Sequence, residues 1–327
     1  VTAVVAPPAL RPAPPARPDA RRRAASRTSL VAAIMVMAGV ASLLYPTIAG
    51  WFSQLQQSQR VDAYAEVMTE LGPVGRLDEL DAARAYNATL AGGALIDPYG
   101  RTPLSEQQAI VAAYEEQLDL GPADVMARIR IPAIAVDLPV YHGTDEATLR
   151  RGIGHLLGSA LPVGGPGTHS VLTGHRGLPE SVLFSDLDRL AVGDTFEIEV
   201  YGEVLAYAVR DVRVIEPGDT DLLMPEAGRD LVSLVTCTPL GINSHRIIVT
   251  GERVPAPEPE AAAAATMPEI PGPPWWAVAL ACGWAVAAGG RSLSARARPA
   301  RAGASATRVG PAPARPEQSG TGPYVLL

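Results

Sequence analysis

Nineteen residues without a charge, 30–48, follow Arg21, Arg22, Arg23 and Arg27. About 20 apolar residues cross a bilayer as a helix, and arginines beside such a run stay on the cytoplasmic side. A second uncharged stretch, 275–290, carries Trp275, Trp276 and Trp284 and precedes Arg291, Arg296, Arg298 and Arg301. Read together, the two stretches predict transmembrane helices over 29–50 and 275–290. Both termini are then cytoplasmic, and the region between lies outside the cell membrane. The alternatives are a cleaved signal peptide for the first, with Thr47-Ile48-Ala49 as a weak cleavage site, and a buried or interfacial helix for the second.

The charge distribution agrees with that topology. The net charge of −7 is made of two basic ends and an acidic middle: residues 1–28 and 291–327 each hold six arginines against one acid. Segment 1–28, rich in Pro, Ala and Arg, has little to bury and is expected to be a disordered cytoplasmic tail. Segment 291–327 is a second basic tail. No nucleic-acid partner is expected.

Between the two apolar stretches the periodicity changes once. Trp51, Leu55, Val61, Tyr64, Val67, Met68 and Leu71 recur at helical spacing, which predicts a helical stalk at the start of a 51–125 region. Gly92-Gly93 and Asp97-Pro98-Tyr99-Gly100 interrupt it with a loop. From residue 126 to 254, short apolar runs follow one another at 127–131, 133–140, 170–173, 195–201, 204–215, 231–236 and 246–254, divided by Gly, Pro, Asn and Asp. Such a pattern predicts an all-β domain, a barrel or a sandwich. Segment 255–274 is Pro- and Ala-rich and acidic, and reads as a linker.

Only two cysteines are present, and they lie in different segments. Cys282 is in the second apolar stretch, whereas Cys237 closes the run Ser233-Leu234-Val235-Thr236-Cys237-Thr238-Pro239. An exported cysteine with no partner in its own domain is a liability unless it does chemistry. His175 ends another apolar run, in Leu172-Thr173-Gly174-His175-Arg176-Gly177, and Arg246 opens the next run after Cys237. A thiol beside an imidazole can attack an acyl carbon, and a guanidinium can hold the oxyanion that forms. Taken singly, each has a bland reading: a buried core cysteine, a structural histidine, a surface arginine. Spacing alone does not bring His175 to Cys237, and Arg246 reaches Cys237 only if their two strands pair. His142, His155, His169 and His245 are read as structural, and no zinc-type ligand spacing or cofactor motif occurs.

Three blocks nonetheless carry a family resemblance. They are the stretch from Gly154-His155-Leu156 to Val163-Gly164-Gly165, the stretch from Gly167-Thr168-His169 to Gly177-Leu178-Pro179, and Leu234-Val235-Thr236-Cys237-Thr238-Pro239-Leu240-Gly241-Ile242-Asn243-Ser244-His245-Arg246. Together they resemble the sortases, and most of all the class C, pilin-polymerising branch.

The resemblance implies an eight-stranded β-barrel with Cys237 as nucleophile, His175 as general acid or base, and Arg246 as oxyanion or substrate donor. It implies substrates with a C-terminal LPXTG-like sorting signal, cut between Thr and Gly. The amine acceptor is then a pilin lysine or, in a housekeeping enzyme, a cell-wall precursor. Asp97, Pro98 and Tyr99 are similar to the lid of class C enzymes, in which the aromatic ring covers the cysteine and the Asp meets the basic side of the site. An L,D-transpeptidase is disfavoured, since its Ser-x-Gly-Cys-x-Arg type motif is absent. The non-enzymatic reading is a membrane-anchored surface scaffold.

Overall fold

The computed structural model describes residues 20–90, 104–121, 124–256 and 271–296. Helix α1 (Ala20–Thr89) contains the first apolar stretch and is broken at Gly72, whose φ of 70° lies outside the helical region and is followed by Pro73. Glycine accepts that angle without a Cβ penalty, and proline removes the donor the helix would need, so the axis bends there. Helix α2 (Leu104–Glu115) follows, and then the β domain with one short helix, α3 (Glu146–Arg151).

Eight strands close into a barrel: β1 (Ala127–Ile131), β2 (Val136–His142), β3 (Ile153–His155), β4 (Thr168–Thr173), β5 (Thr195–Val200), β6 (Glu203–Ile215), β7 (Asp230–Thr238) and β8 (His245–Val254). Their spatial order is β1-β2-β3-β4-β7-β8-β6-β5. The pairs β2–β3 and β4–β7 are parallel and the others antiparallel. Strands β1, β4, β6 and β7 therefore run the same way. We call the end they point to the upper end. Seven of the eight strands coincide with the alternating runs of the sequence. The eighth, β3, is three residues long, too short for any alternation to show.

The barrel is filled by one side of each strand, as closure requires. Ile129, Ile131, Val140, Ile153, Leu172, Phe196, Ile198, Leu205, Tyr207, Leu234 and Val249 are all buried in it. A smaller cluster, Val171, Val235 and Ile248, lies on β4, β7 and β8, with Leu156, Ile215 and Leu223 against it.

The helix expected after residue 51 is present, and it packs along the barrel as well as leading out of the apolar stretch. Val61, Tyr64, Met68, Leu80 and Ala83 are buried on it. Tyr64 accepts a hydrogen bond from the Tyr201 amide at 2.6 Å, and Asn87 bonds both the amide and the carbonyl of Leu161. Tyr114 fixes α2 in the same manner, its hydroxyl lying 2.9 Å from His155 Nδ1 and accepting from the Gly143 amide.

The second membrane helix is a correction. Among the described residues one helix, Val31–Thr89, is long and apolar enough to span a bilayer, whereas the other apolar helical stretch is the shorter Trp275–Ala285. It belongs to α4 (Trp275–Arg296), whose last turns already contain Arg291 and Arg296, so its apolar length is limited. From Ala277 onward the chain is a separate compact unit.

Candidate active site

Strand register builds the site. In the β7–β8 pair, Cys237 lies directly opposite Arg246. On the other side of β7, the parallel ladder with β4 ends at Thr173 opposite Val235, and the Gly174 amide continues it by donating to the Val235 carbonyl at 3.0 Å. Two residues on from each member of that last pair stand His175 and Cys237. Side chains in a strand alternate faces, so residues two apart share one. Cys237 and Arg246 therefore end one face of β7 and β8, and His175 stands just past the end of the adjacent β4, so the three gather in a row at the upper end.

The rows beneath show which face this is. Val171, Val235 and Ile248 form the small apolar cluster, and below them His169 Nε2 meets Ser233 Oγ at 2.8 Å while Ser233 Oγ meets Thr250 Oγ1 at 2.9 Å. The candidate row thus stands outside the barrel on an apolar floor. Cys237 is half-buried and free of any disulfide. Arg246 uses Nη1 to donate to the carbonyls of Asn243 and His245, at 3.0 and 3.1 Å.

The chain holds the ends of this row in place through Gly174 and Arg176. A Cβ on Gly174 would come within 2.7 Å of Ile153 Cδ1 and 2.8 Å of Phe184 Cδ2, and Thr236 Oγ1 donates to the Gly174 carbonyl at 2.7 Å. Only glycine lets the backbone lie so close there. Arg176 is nearly buried and donates from Nε to the Ser185 carbonyl, from Nη1 to Thr238 Oγ1 and from Nη2 to Asp188. It joins the segment after His175 to the residue after Cys237. His175 itself meets Glu146 through Nε2 at 3.2 Å, at the first turn of α3.

Sequence reasoning passed over Arg176 and Glu146. A signal for Arg176 existed in its position next to His175 within an otherwise apolar and glycine-rich stretch, since an arginine there must be paired. Glu146 is 29 residues from His175, and only the folding of α3 brings it near.

The other histidines stand apart from the row. His155 is fully buried between Tyr114, Ser159 and the Ala160 carbonyl, and burial pushes its imidazole down to about 4. His169 is lowered for the same reason, against a weaker opposing hydrogen bond to Met224 O. His142 bonds the Gln117 carbonyl and His245 lies beside Ser244. Asp97, Pro98 and Tyr99 fall outside the described residues.

With the geometry in hand, comparison with known proteins is informative. The sequence profile of the sortase domain family matches residues 129–254. Sortase C-1 from Actinomyces oris is 49% identical, with a TM-score of 0.51 over 56% of this chain and 100% of that one. Sortase C1 from Streptococcus agalactiae is 39% identical, with a TM-score of 0.56 over 61% of this chain and 100% of that one. A lid mutant of sortase A from Corynebacterium diphtheriae is 41% identical, with a TM-score of 0.50 over 58% of this chain and 100% of that one. Both the barrel and identities at this level, over the full length of the compared chains, lead to one assignment: the chain belongs to the sortase family of cysteine transpeptidases and sits with its class C members.

Proposed function

We propose that the chain is a membrane-anchored pilin-type transpeptidase, held by the apolar part of α1, whose catalytic unit is the barrel of residues 126–254. The observation that carries the reading is the register that sets Cys237 opposite Arg246 on β7 and β8, with His175 two residues past the end of the neighbouring strand β4. Cys237 gives its thiol proton to His175 and attacks the Thr carbonyl of an LPXTG-like signal, forming a C–S bond and a tetrahedral oxyanion that the Arg246 guanidinium holds. His175 gives a proton to the departing Gly nitrogen as the C–N bond breaks, leaving a thioester on Cys237. A pilin lysine amine then attacks the thioester carbon, His175 accepts the amine proton and passes it to the Cys237 sulfur as the C–S bond breaks, and an isopeptide bond is completed.

Water competes for the thioester, so a cleft that stays closed until substrate arrives favours transfer over hydrolysis. We assign that part to Asp97, Pro98 and Tyr99. The support is their resemblance to the class C lid, together with the description of one 41%-identical relative as a lid mutant.

The test is intact-mass analysis of the full chain in detergent, incubated with an LPXTG-type peptide and then with either a lysine-bearing pilin or a cell-wall amine. The expected result is an acyl adduct that requires Cys237, increases in an Asp97→Ala/Tyr99→Ala variant and passes to the pilin lysine. Transfer only to the cell-wall amine would make it an anchoring enzyme. No adduct from any variant, with the thiol still reactive, would remove the LPXTG reading.

A further inference from the structure

The direction of α1 across the barrel has a consequence for where the candidate row sits. The row lies at the upper end, where β4 and β7 finish and β8 begins. Following α1 outward from the apolar stretch, the first barrel contact is Gln57 Nε2 to Ser181 Oγ, at 3.3 Å. Ser181 belongs to the loop that starts at His175 and returns to it through the Phe184 amide bonding the His175 carbonyl. A cavity of about 300 Å³ lies beside this contact, between Gly50, Gln54, Ser58 and Val61 of α1, the loop at Val182 and the β1–β2 turn at Ile134. That turn follows β1 and is likewise at the upper end.

Seven residues later the helix has crossed to the lower end. Tyr64 meets Tyr201 at the β5–β6 turn, and beyond the Gly72 break Arg84 meets Glu203 and Asn87 meets Leu161. The helix thus passes from upper to lower end as it leaves the apolar stretch, so that stretch projects beyond the upper end. Nine residues separate Ile48 from Gln57, an axial rise of about 13 Å at 1.5 Å per residue. That rise is about twice the roughly 5–7 Å that each headgroup layer adds to the hydrocarbon core, so the contact lies a short step beyond the headgroups with no long spacer between.

The surface is consistent with this placement. Val182, Val214, Leu240 and Ile242 are exposed apolar side chains, and all four lie at the upper end, on the loop after His175, the end of β6 and the β7–β8 turn. Just outside the apolar stretch of α1, Trp51 and Phe52 pack ring to ring with each other and with Trp276 of α4 at 5.1 to 6.1 Å, and aromatic residues of this kind favour the membrane interface. Val74 and Leu77 beyond the Gly72 break are exposed as well, but the four at the upper end lie on the side from which the apolar stretch projects, where they suit the boundary between headgroups and acyl chains.

We infer that the barrel rests with its upper end against the lipid headgroups, so that the His175–Cys237–Arg246 row faces the bilayer across a short gap. The partner of this surface is the lipid interface, and the site is placed to receive a peptide bond held close to the membrane in which the enzyme is anchored. The inference rests on the reading of α1 as a membrane anchor.

The test uses the full chain with both cysteines replaced (Cys237→Ala, Cys282→Ser) and single labelling sites introduced by Val182→Cys, Ile242→Cys or Ala227→Cys. Ala227 is exposed near the start of β7, at the lower end. Each bimane-labelled variant is reconstituted into phosphatidylcholine vesicles with or without headgroup nitroxide lipid, and vesicle flotation is measured on the same samples. Quenching at 182 and 242 should exceed that at 227 at least twofold, in whichever direction the protein inserts. Flotation with equal quenching at the three sites, or with strongest quenching at 227, overturns the inference and leaves the anchor standing. Failure to float overturns both.

Discussion

Arg176 donates from Nη1 to the hydroxyl of Thr238 at 3.0 Å, tying the residue after His175 to the residue after Cys237. Those two residues come from strand ends 62 positions apart in sequence, and this side-chain bond crosses directly between them. Thr238→Val keeps the shape of the side chain and removes the acceptor. The acylation rate constant should fall by about tenfold while unfolding free energy falls by about 1.5–3 kcal/mol, the usual worth of one hydrogen bond to a charged group. Single-turnover mass spectrometry and urea denaturation measure the two quantities. An unchanged rate would show that the bond does not help set the site.

Gly174 has no room for a methyl group between Ile153 and Phe184. Gly174→Ala should push the backbone outward and carry His175 with it, with a stability loss of about 1–3 kcal/mol from overpacking. Acylation should drop more than tenfold under conditions where circular dichroism shows the variant folded. Full activity in the alanine variant would mean that His175 is not held by this contact.

Arg128 is 2% exposed and bridges three strands, with Nε and Nη2 each 2.7 Å from Asp137 and Nη1 3.3 Å from Glu199. Arg128→Met leaves two largely buried carboxylates without their cation, so a loss of about 3–5 kcal/mol is expected. Urea unfolding would measure it. Because the bridge joins β1 to β2 and β5, away from the candidate row, folded Arg128→Met should acylate at the wild-type rate.

Burial holds the His155 imidazole at about 4, against 6.5 when unfolded, and lowers His169 in the same direction. The unfolded chain therefore takes up protons that the folded chain refuses. The His155 contribution should be flat above about pH 6.5, fall by roughly 1.4 kcal/mol per pH unit as pH drops toward about 4, and level off below that value, with His169 adding to the loss in the same direction. Denaturation midpoints across that range give the slope. His155→Gln cannot titrate, and should flatten part of it; an identical slope would assign the acid sensitivity to other groups.

Much of this molecule could be read along the chain. The apolar stretch after Arg27, the helix from Trp51 onward and seven of the eight strands all announce themselves through local periodicity, because burial of one face imposes a repeat on the residues that make it. β3 was silent, since Ile153-Gly154-His155 is held by its neighbours on either side and not by any pattern of its own. The second membrane helix rested on the arginines that follow an uncharged but short stretch, and flanking charge does not supply the apolar length that Trp275–Ala285 lacks.

The candidate site divides along the same line. That Cys237 and Arg246 would meet depended only on a hairpin, and a short connection between two strands makes antiparallel pairing the simplest outcome. That His175 stands beside Cys237 depended on β4 and β7 running parallel, a pairing that spans two intervening strands and that no local signal encodes. Sequence alone determined the kinds of chemistry present and an apolar stretch long enough to span a membrane, because composition and periodicity are local properties. The tertiary structure alone decided the approach of His175 to Cys237 and Arg246, the Arg176 clamp and the end of the barrel beyond which the apolar stretch projects, because each follows from barrel closure and strand direction, which are set by contacts between residues far apart in the chain.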